Sequence, residues 1–183
     1  RTLLLRSLQK TAGDGLAGWA TKLEGYLPTA KRISNAAGTK EPYQTVGTGH
    51  YLSPANKPKL TKLWGALRLQ QIMQGSPITR QEDKAATTMH LNKVVPGQLD
   101  AWNPRWRKLN PMLQAWLKLH AYALGGNISK FKQGSNAVNA MAVKPSAGNA
   151  ARLWDAFWRS RYRKQTGGRM NKAKPLFEAG KRI

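Results

Sequence analysis

The sequence predicts a mainly α protein: a small, irregular helical domain with a long extended segment before it and a basic C-terminal tail after it. Three observations lead there. Helix-capping and helix-stopping residues recur along the chain, while alternating strand patterns are scarce. Residues 28–58 are crowded with Gly, Pro, Thr, Ser and Asn and carry no helical period. The closing "RMNKAKPLFEAGKRI" is basic, interrupted by proline, and reads as a tail with little reason to fold alone. The expected organisation is an N-terminal helical segment over 1–27, the extended segment over 28–58, a helical core domain over 59–166 and the tail over 167–183.

Each element has a local reason. "RTLLLRSLQK" and the stretch Leu16–Tyr26 are short helices separated by "GDG". The opening segment is rich in Arg, Leu and Ser and has no acid before Asp14, which is the composition of an organelle transit peptide. A thirty-residue stretch without helix or strand is unusual inside a packed domain, so "GTKEPYQTVGTGHYLSPANKP" is expected to lie along a partner. Lys59–Gln74 spaces Leu60, Leu63, Trp64, Leu67 and Gln71 along one helical face. Thr79 followed by Glu82 has capping-box spacing and opens a helix to about His90, before "VVPGQ" breaks the pattern.

Asn103-Pro104 and Asn110-Pro111 each place a capping residue before a proline suited to the first helical turn. The second pair opens "PMLQAWLKLHAYALGG", a helix apolar over most of its circumference and hence central, stopped by Gly125-Gly126. Residues 125–149 read as a loop with a short helix near Ala137–Val143. A last helix runs from about Ala147 to Gln165. At about 100° per residue its Leu153, Trp154, Phe157 and Trp158 gather on one side, while Arg152, Arg159 and Arg163 share the other. Arg161 falls among the rings and Tyr162 at their border. The rings are expected to pack into the protein, leaving an arginine stripe outside.

Charge is the outlier. The chain has 31 Lys and Arg against 8 Asp and Glu, a net of +23. Residues 101–183 hold 17 basic and 2 acidic groups, a net of +15. A folded body with that imbalance repels itself unless a polyanion relieves it, which points to nucleic acid. The candidate phosphate-binding residues are Arg105, Arg107 and Lys108; Arg152, Arg159, Arg163 and Lys164; and Arg169, Lys172 and Lys174. Lys57, Lys59 and Lys62 form a further basic grouping. Trp102 and Trp106 lie among the first of these, either packed against the central helix or with one ring stacked outside.

Chemistry is scarce by comparison. Cysteine is absent, which excludes disulfides, thiolate metal sites and a cysteine nucleophile. His50, His90 and His120 have no metal-ligand spacing, and His120 falls on the apolar side of the central helix. "GTGHYLSP" lacks the pattern of a phosphate loop. Glu82 and Asp83 are adjacent, so they diverge by about 100° on a helix and make a poor acid–base pair. No enzyme, metal, cofactor or small-molecule substrate is expected, and no run approaches the roughly 18 apolar residues of a membrane span.

In composition and layout the chain is similar to ribosomal proteins, particularly the lineage-specific ones of mitochondria. That similarity implies a structural, non-catalytic role in the mitochondrial matrix, with ribosomal RNA and neighbouring ribosomal proteins as partners. Two other classes fit the same charge. One is an accessory subunit of a mitochondrial respiratory-chain membrane complex; the other is a DNA-packing protein of a virion or nucleoid.

Overall fold

Helix dominates residues 14–34, 38–160 and 168–181, the part of the chain that the computed structural model describes. The chain divides into two units, Arg1–Met89 and His90–Ile183. The expected helix in "RTLLLRSLQK" lies outside the described residues, as does the segment 161–167.

In the first unit, α1 (Asp14–Glu24) buries Leu16, Ala17, Ala20 and Leu23, the spacing of one helical face. Gly25 stops it with φ +79°. The segment expected to be extended and unpacked is instead partly folded. It forms a three-stranded antiparallel sheet, β1 (Leu27–Lys31), β2 (Thr45–Gly47) and β3 (His50–Tyr51), in the order β1-β2-β3. Gly47 and Gly49, at φ +61° and +86°, reverse the chain between the paired residues Val46 and His50. That turn brings Val46 and Leu52 into the core with Leu60, Leu69, Ile72, Ile78 and Ala86.

The helix expected over Lys59–Gln74 is broken by Gly65, whose φ of +81° no other residue type adopts cheaply. It becomes α2 (Lys57–Trp64) and α3 (Ala66–Met73). The break resets the helical phase. Leu60, Leu69 and Ile72 enter the core, whereas Leu63 and Leu67 are 37% and 71% exposed. The capping box of α4 (Arg80–Met89) forms as its spacing predicts: the Thr79 amide donates to Glu82 Oε2 at 2.8 Å, and the Glu82 amide to Thr79 Oγ1 at 3.1 Å.

In the second unit, a π-turn (His90–Val94) leads into α5 (Val95–Trp102), so "VVPGQ" does not end the helical path. Pro96 lacks an amide hydrogen and crowds the preceding turn, and the wider π-turn accommodates both defects. A 3₁₀ turn (Pro104–Lys108) and α6 (Pro111–Leu124) follow, each capped by its asparagine. Asn103 accepts from the Arg105 amide at 3.0 Å, and Asn110 accepts from the Met112 and Leu113 amides at 3.1 Å. Helix α6 is central, burying Met112, Leu113, Trp116, Leu117, Leu119, His120 and Ala121.

After a second 3₁₀ stretch (Gly125–Lys130), α7 (Lys132–Val143) is longer than the short helix expected there. Gly134 is required in it, because a Cβ would lie 2.3 Å from the Phe131 ring. Helix α8 (Ala147–Trp158) packs on α7 and ends before the expected Gln165. The expected basic tail is corrected outright: Arg169–Gly180 is a helix, α9, laid against α6. Its Met170, Ala173, Leu176, Phe177 and Gly180 are buried, a helical spacing that the proline and the charges conceal. Pro175 stands inside this helix on its exposed side.

Candidate nucleic-acid interface

The first basic grouping sits on the 3₁₀ turn. Trp106 points inward and is 1% exposed, its indole N–H donating to Asp100 Oδ1 at 2.9 Å. Trp102 is partly buried and donates to the Phe131 carbonyl at 3.1 Å. Arg107 grips Asp100 through two bonds, Nε to Oδ1 at 2.8 Å and Nη2 to Oδ2 at 2.6 Å. The Arg107 bonds, then the Trp106 bond, hold the Asp100 carboxyl below its ordinary range. Arg105 and Lys108 are exposed.

A residue that the sequence reading passed over belongs here as well. Lys118 Nζ lies 5.8 Å from the centre of the Trp106 ring, and the Arg107 guanidinium 5.0 Å from the same ring. Burial lowers the Lys118 pKa, and the neighbouring Arg107 lowers it further. Its place on the narrow polar strip of α6 was the available signal; that a buried tryptophan would face it was not readable.

On α8 the expected segregation of rings from arginines holds in part. Leu153 and Phe157 are buried, but Trp154 and Trp158 are only partly so. These two indoles stack at 5.7 Å between ring centres, and Trp154 lies 6.3 Å from Trp116 and 5.0 Å from Phe177. Phe157 completes the cluster against Trp116 and Phe131, at 4.8 and 4.6 Å. Arg152 and Arg159 are exposed on the far side as expected, with Arg159 held by Asp155 at 3.2 Å. Arg163 and Lys164, with Arg161 and Tyr162, lie outside the described residues.

Helix α9 carries the third grouping. Lys172 and Lys174 are exposed and Arg169 is partly buried, on the faces left by the buried stripe. Glu178 pairs with Lys181. His120 is buried, and that burial, with Arg169 nearby, pushes its pKa down to about 3, so it is a neutral ring in the core.

Residues 90–183 contain three acids, Asp100, Asp155 and Glu178. Each is engaged by a cation of the same unit: Arg107, Arg159 and Lys181. The predicted set therefore divides. Arg107 and Arg159 already have carboxylates, whereas Arg105, Lys108, Arg152 and Lys174 have none among the described residues. These four lie on three elements: Arg105 and Lys108 on the 3₁₀ turn, Arg152 on α8 and Lys174 on α9.

The first unit holds one arrangement that looks chemical. His50 Nε2 lies 3.0 Å from Asp83 Oδ1 and 3.3 Å from Thr87 Oγ1. The Thr48 amide and hydroxyl donate to the two Asp83 oxygens, both at 2.7 Å. Burial pushes the Asp83 carboxyl up, but the bonds from His50 and Thr48 outweigh it and hold the group below its usual range. A nucleophile–base–acid relay needs the acid and the nucleophile on opposite ring nitrogens; here both address Nε2. The cluster is closed, with both side chains 3% exposed, and it fastens the Gly47–Gly49 turn to α4.

Among the described residues, no group of three or more His, Asp or Glu is placed to hold a metal, and no helix is long and apolar enough to cross a membrane. No protein-family model and no curated protein matches the sequence.

Proposed function

We propose that the protein is a structural, non-catalytic RNA-binding component of a ribosome, and that the ribosome is mitochondrial. The observation that carries the reading is the charge partition of residues 90–183. Eighteen basic groups face three acids, and all three acids are committed internally. The remaining excess has no protein counterpart of matching size, and a phosphate backbone supplies one in regular array. Guanidinium groups such as Arg105 and Arg152 suit phosphate oxygens through paired N–H donors. Contacts of this kind fix position on an RNA without reading its sequence, which suits a structural component. The mitochondrial assignment rests on the Arg-, Leu- and Ser-rich opening segment.

The test is fractionation of organelle particles in increasing salt. The protein is expected to travel with ribosomal RNA at low salt and to leave it at high salt. Release at low salt without attached ribosomal RNA refutes the reading. Sedimentation with detergent-solubilised membrane complexes favours a respiratory accessory subunit, and preference for duplex DNA favours a packing protein.

A further inference from the structure

Helices α8 and α9 enclose a cleft of about 380 Å³. Its origin is local. Helical side chains lean toward the helix N-terminus, so the Trp154 indole lies over the preceding turns. On that strip the residues three and seven earlier are Ala151 and Ala147, whose methyl groups leave the space in front of the ring unfilled. Trp116, Trp158 and Phe177 hold the indole from its other sides, within 5.0–6.3 Å between ring centres. The result is a partly exposed aromatic in a fixed pose, facing a space at the small end of the ligand-pocket range of roughly 300–1,000 Å³.

The polar lining is mixed. Asp155 stands on the α8 wall and Glu178 on the α9 wall, with Lys174 and Lys181 beside Glu178. The carboxylates hold Arg159 and Lys181, yet a carboxylate offers about four lone-pair positions and retains acceptors after one ion pair. Ring, carboxylate and ammonium each match a different part of a nucleotide: the base face, an exocyclic amino group and a phosphate.

We propose that this cleft takes one unpaired, amino-bearing nucleobase of the bound RNA. The base packs against Trp154, its amino group donates to Asp155 or Glu178, and its flanking phosphates meet Lys174 and Lys181. The inference rests on the RNA-binding reading and adds a preference to it. Uracil is disfavoured, because it presents a carbonyl oxygen where cytosine presents an amino group. An arginine side chain from a neighbouring protein would suit the ring and the carboxylates. It would, however, enter beside Lys174, Lys181 and Arg159, in a unit of net charge +15.

The experiment compares end-labelled oligocytidylate and oligouridylate of equal length, binding the full chain by fluorescence anisotropy over a salt series. The expected preference for cytidylate is about fivefold or more, the equivalent of one hydrogen bond of about 1 kcal/mol. Ala151→Leu fills the cleft from an exposed helical position with a good helix former, and should abolish the preference while keeping the salt dependence. Asp155→Ala leaves the cleft open and removes an acceptor; it too should narrow the preference. Equal binding of the two oligomers with steep salt dependence overturns the cleft assignment and leaves phosphate binding standing. Absence of salt-dependent binding to either overturns both. Capture of an arginine-containing peptide, lost in Ala151→Leu, assigns the cleft to a protein partner and overturns the nucleobase.

Discussion

Neutralising Arg105, Lys108, Arg152 and Lys174 together, each to Gln, should flatten the salt dependence of RNA binding by a calculable amount. These four are the predicted contacts whose side chains have no carboxylate partner among the described residues, so each can take a phosphate without first releasing an acid. Each lost contact lowers the slope of log K against log salt by about 0.9 on a duplex and about 0.7 on a single strand. Four contacts change the slope by roughly 2.8 to 3.6, which over a fourfold rise from 50 to 200 mM salt is about 50- to 150-fold in affinity. The assay is anisotropy of a labelled RNA stem-loop titrated with protein at several salt concentrations. Arg107→Gln serves as the internal contrast. Its guanidinium must leave two bonds to Asp100 before it meets phosphate, so its slope change should be well below that of a single free contact. Conversely, Asp100→Asn should strengthen binding by releasing Arg107. An unchanged slope in the quadruple variant, with the fold intact by circular dichroism, would refute the assignment of phosphate contacts.

Three further outcomes follow from the packing. Gly180→Ala places a Cβ 2.8 Å from Leu113 Cγ and 3.0 Å from the Leu113 amide nitrogen, so urea unfolding of the second unit should shift by roughly 1–3 kcal/mol; no shift would show that α9 is not seated on α6. Hydrogen bonds from Arg68, assisted by Thr79, lower the Glu82 pKa to about 2. Because the folded value is depressed, its contribution is present above the unfolded value and lost as pH falls from about 4.5 toward 2; Arg68→Ala should remove about 1–2 kcal/mol at pH 7 and correspondingly less at pH 2.5, by urea titration. For His120 the ionisation is reversed in charge, and the neutral form is the buried one. With a folded value of about 3, stability is full above about 6.5 and falls by about 1.4 kcal/mol per pH unit below it. The gap between wild type and His120→Leu should therefore close by roughly 2 kcal/mol or shift in favour of the variant between pH 7 and 5, and a pH-independent gap would count against a buried neutral ring.

What the sequence revealed was set by how local the cause was. The Asn103 and Asn110 caps, the Thr79–Glu82 capping box and the apolar circumference of α6 depend on residues within a turn or two, and each is found in place. The misreadings came where a single backbone conformation or a distant contact decided. Gly65 at φ +81° changes which leucines of "LTKLWGALRLQQ" face inward, and a helical wheel drawn through it cannot register that. "TVGTGHYL" reads as loop because its glycines are counted as flexibility, whereas two positive-φ glycines make a tight turn that Asp83 clamps from 33 and 35 residues away. Helix α9 was concealed by Pro175 and by the lysines, although Met170, Ala173, Leu176 and Phe177 carry a helical spacing. The basic groupings were legible as composition. Their separation into paired and unpaired cations required the positions of Asp100, Asp155 and Glu178.

That separation bears on how a unit carrying +15 folds at all. Self-repulsion among exposed cations is screened over roughly 8–10 Å in physiological salt, so cations dispersed over different elements repel less than a dense patch would. In the second unit the cations without a carboxylate among the described residues include Arg105 and Lys108 on the 3₁₀ turn, Arg152 on α8 and Lys174 on α9. The opposing term is aromatic burial: Trp106, Trp116 and Phe157 are at most 1% exposed, and each contributes roughly 2–3 kcal/mol by area removed from water. These rings thus hold the body together against its own charge. Trp154 is the exception with a reason, since the alanines before it leave part of its ring uncovered. A fold whose aromatics serve cohesion and whose acids are paired locally is left with cations as its outward chemistry, which is the surface that the proposed phosphate contacts require.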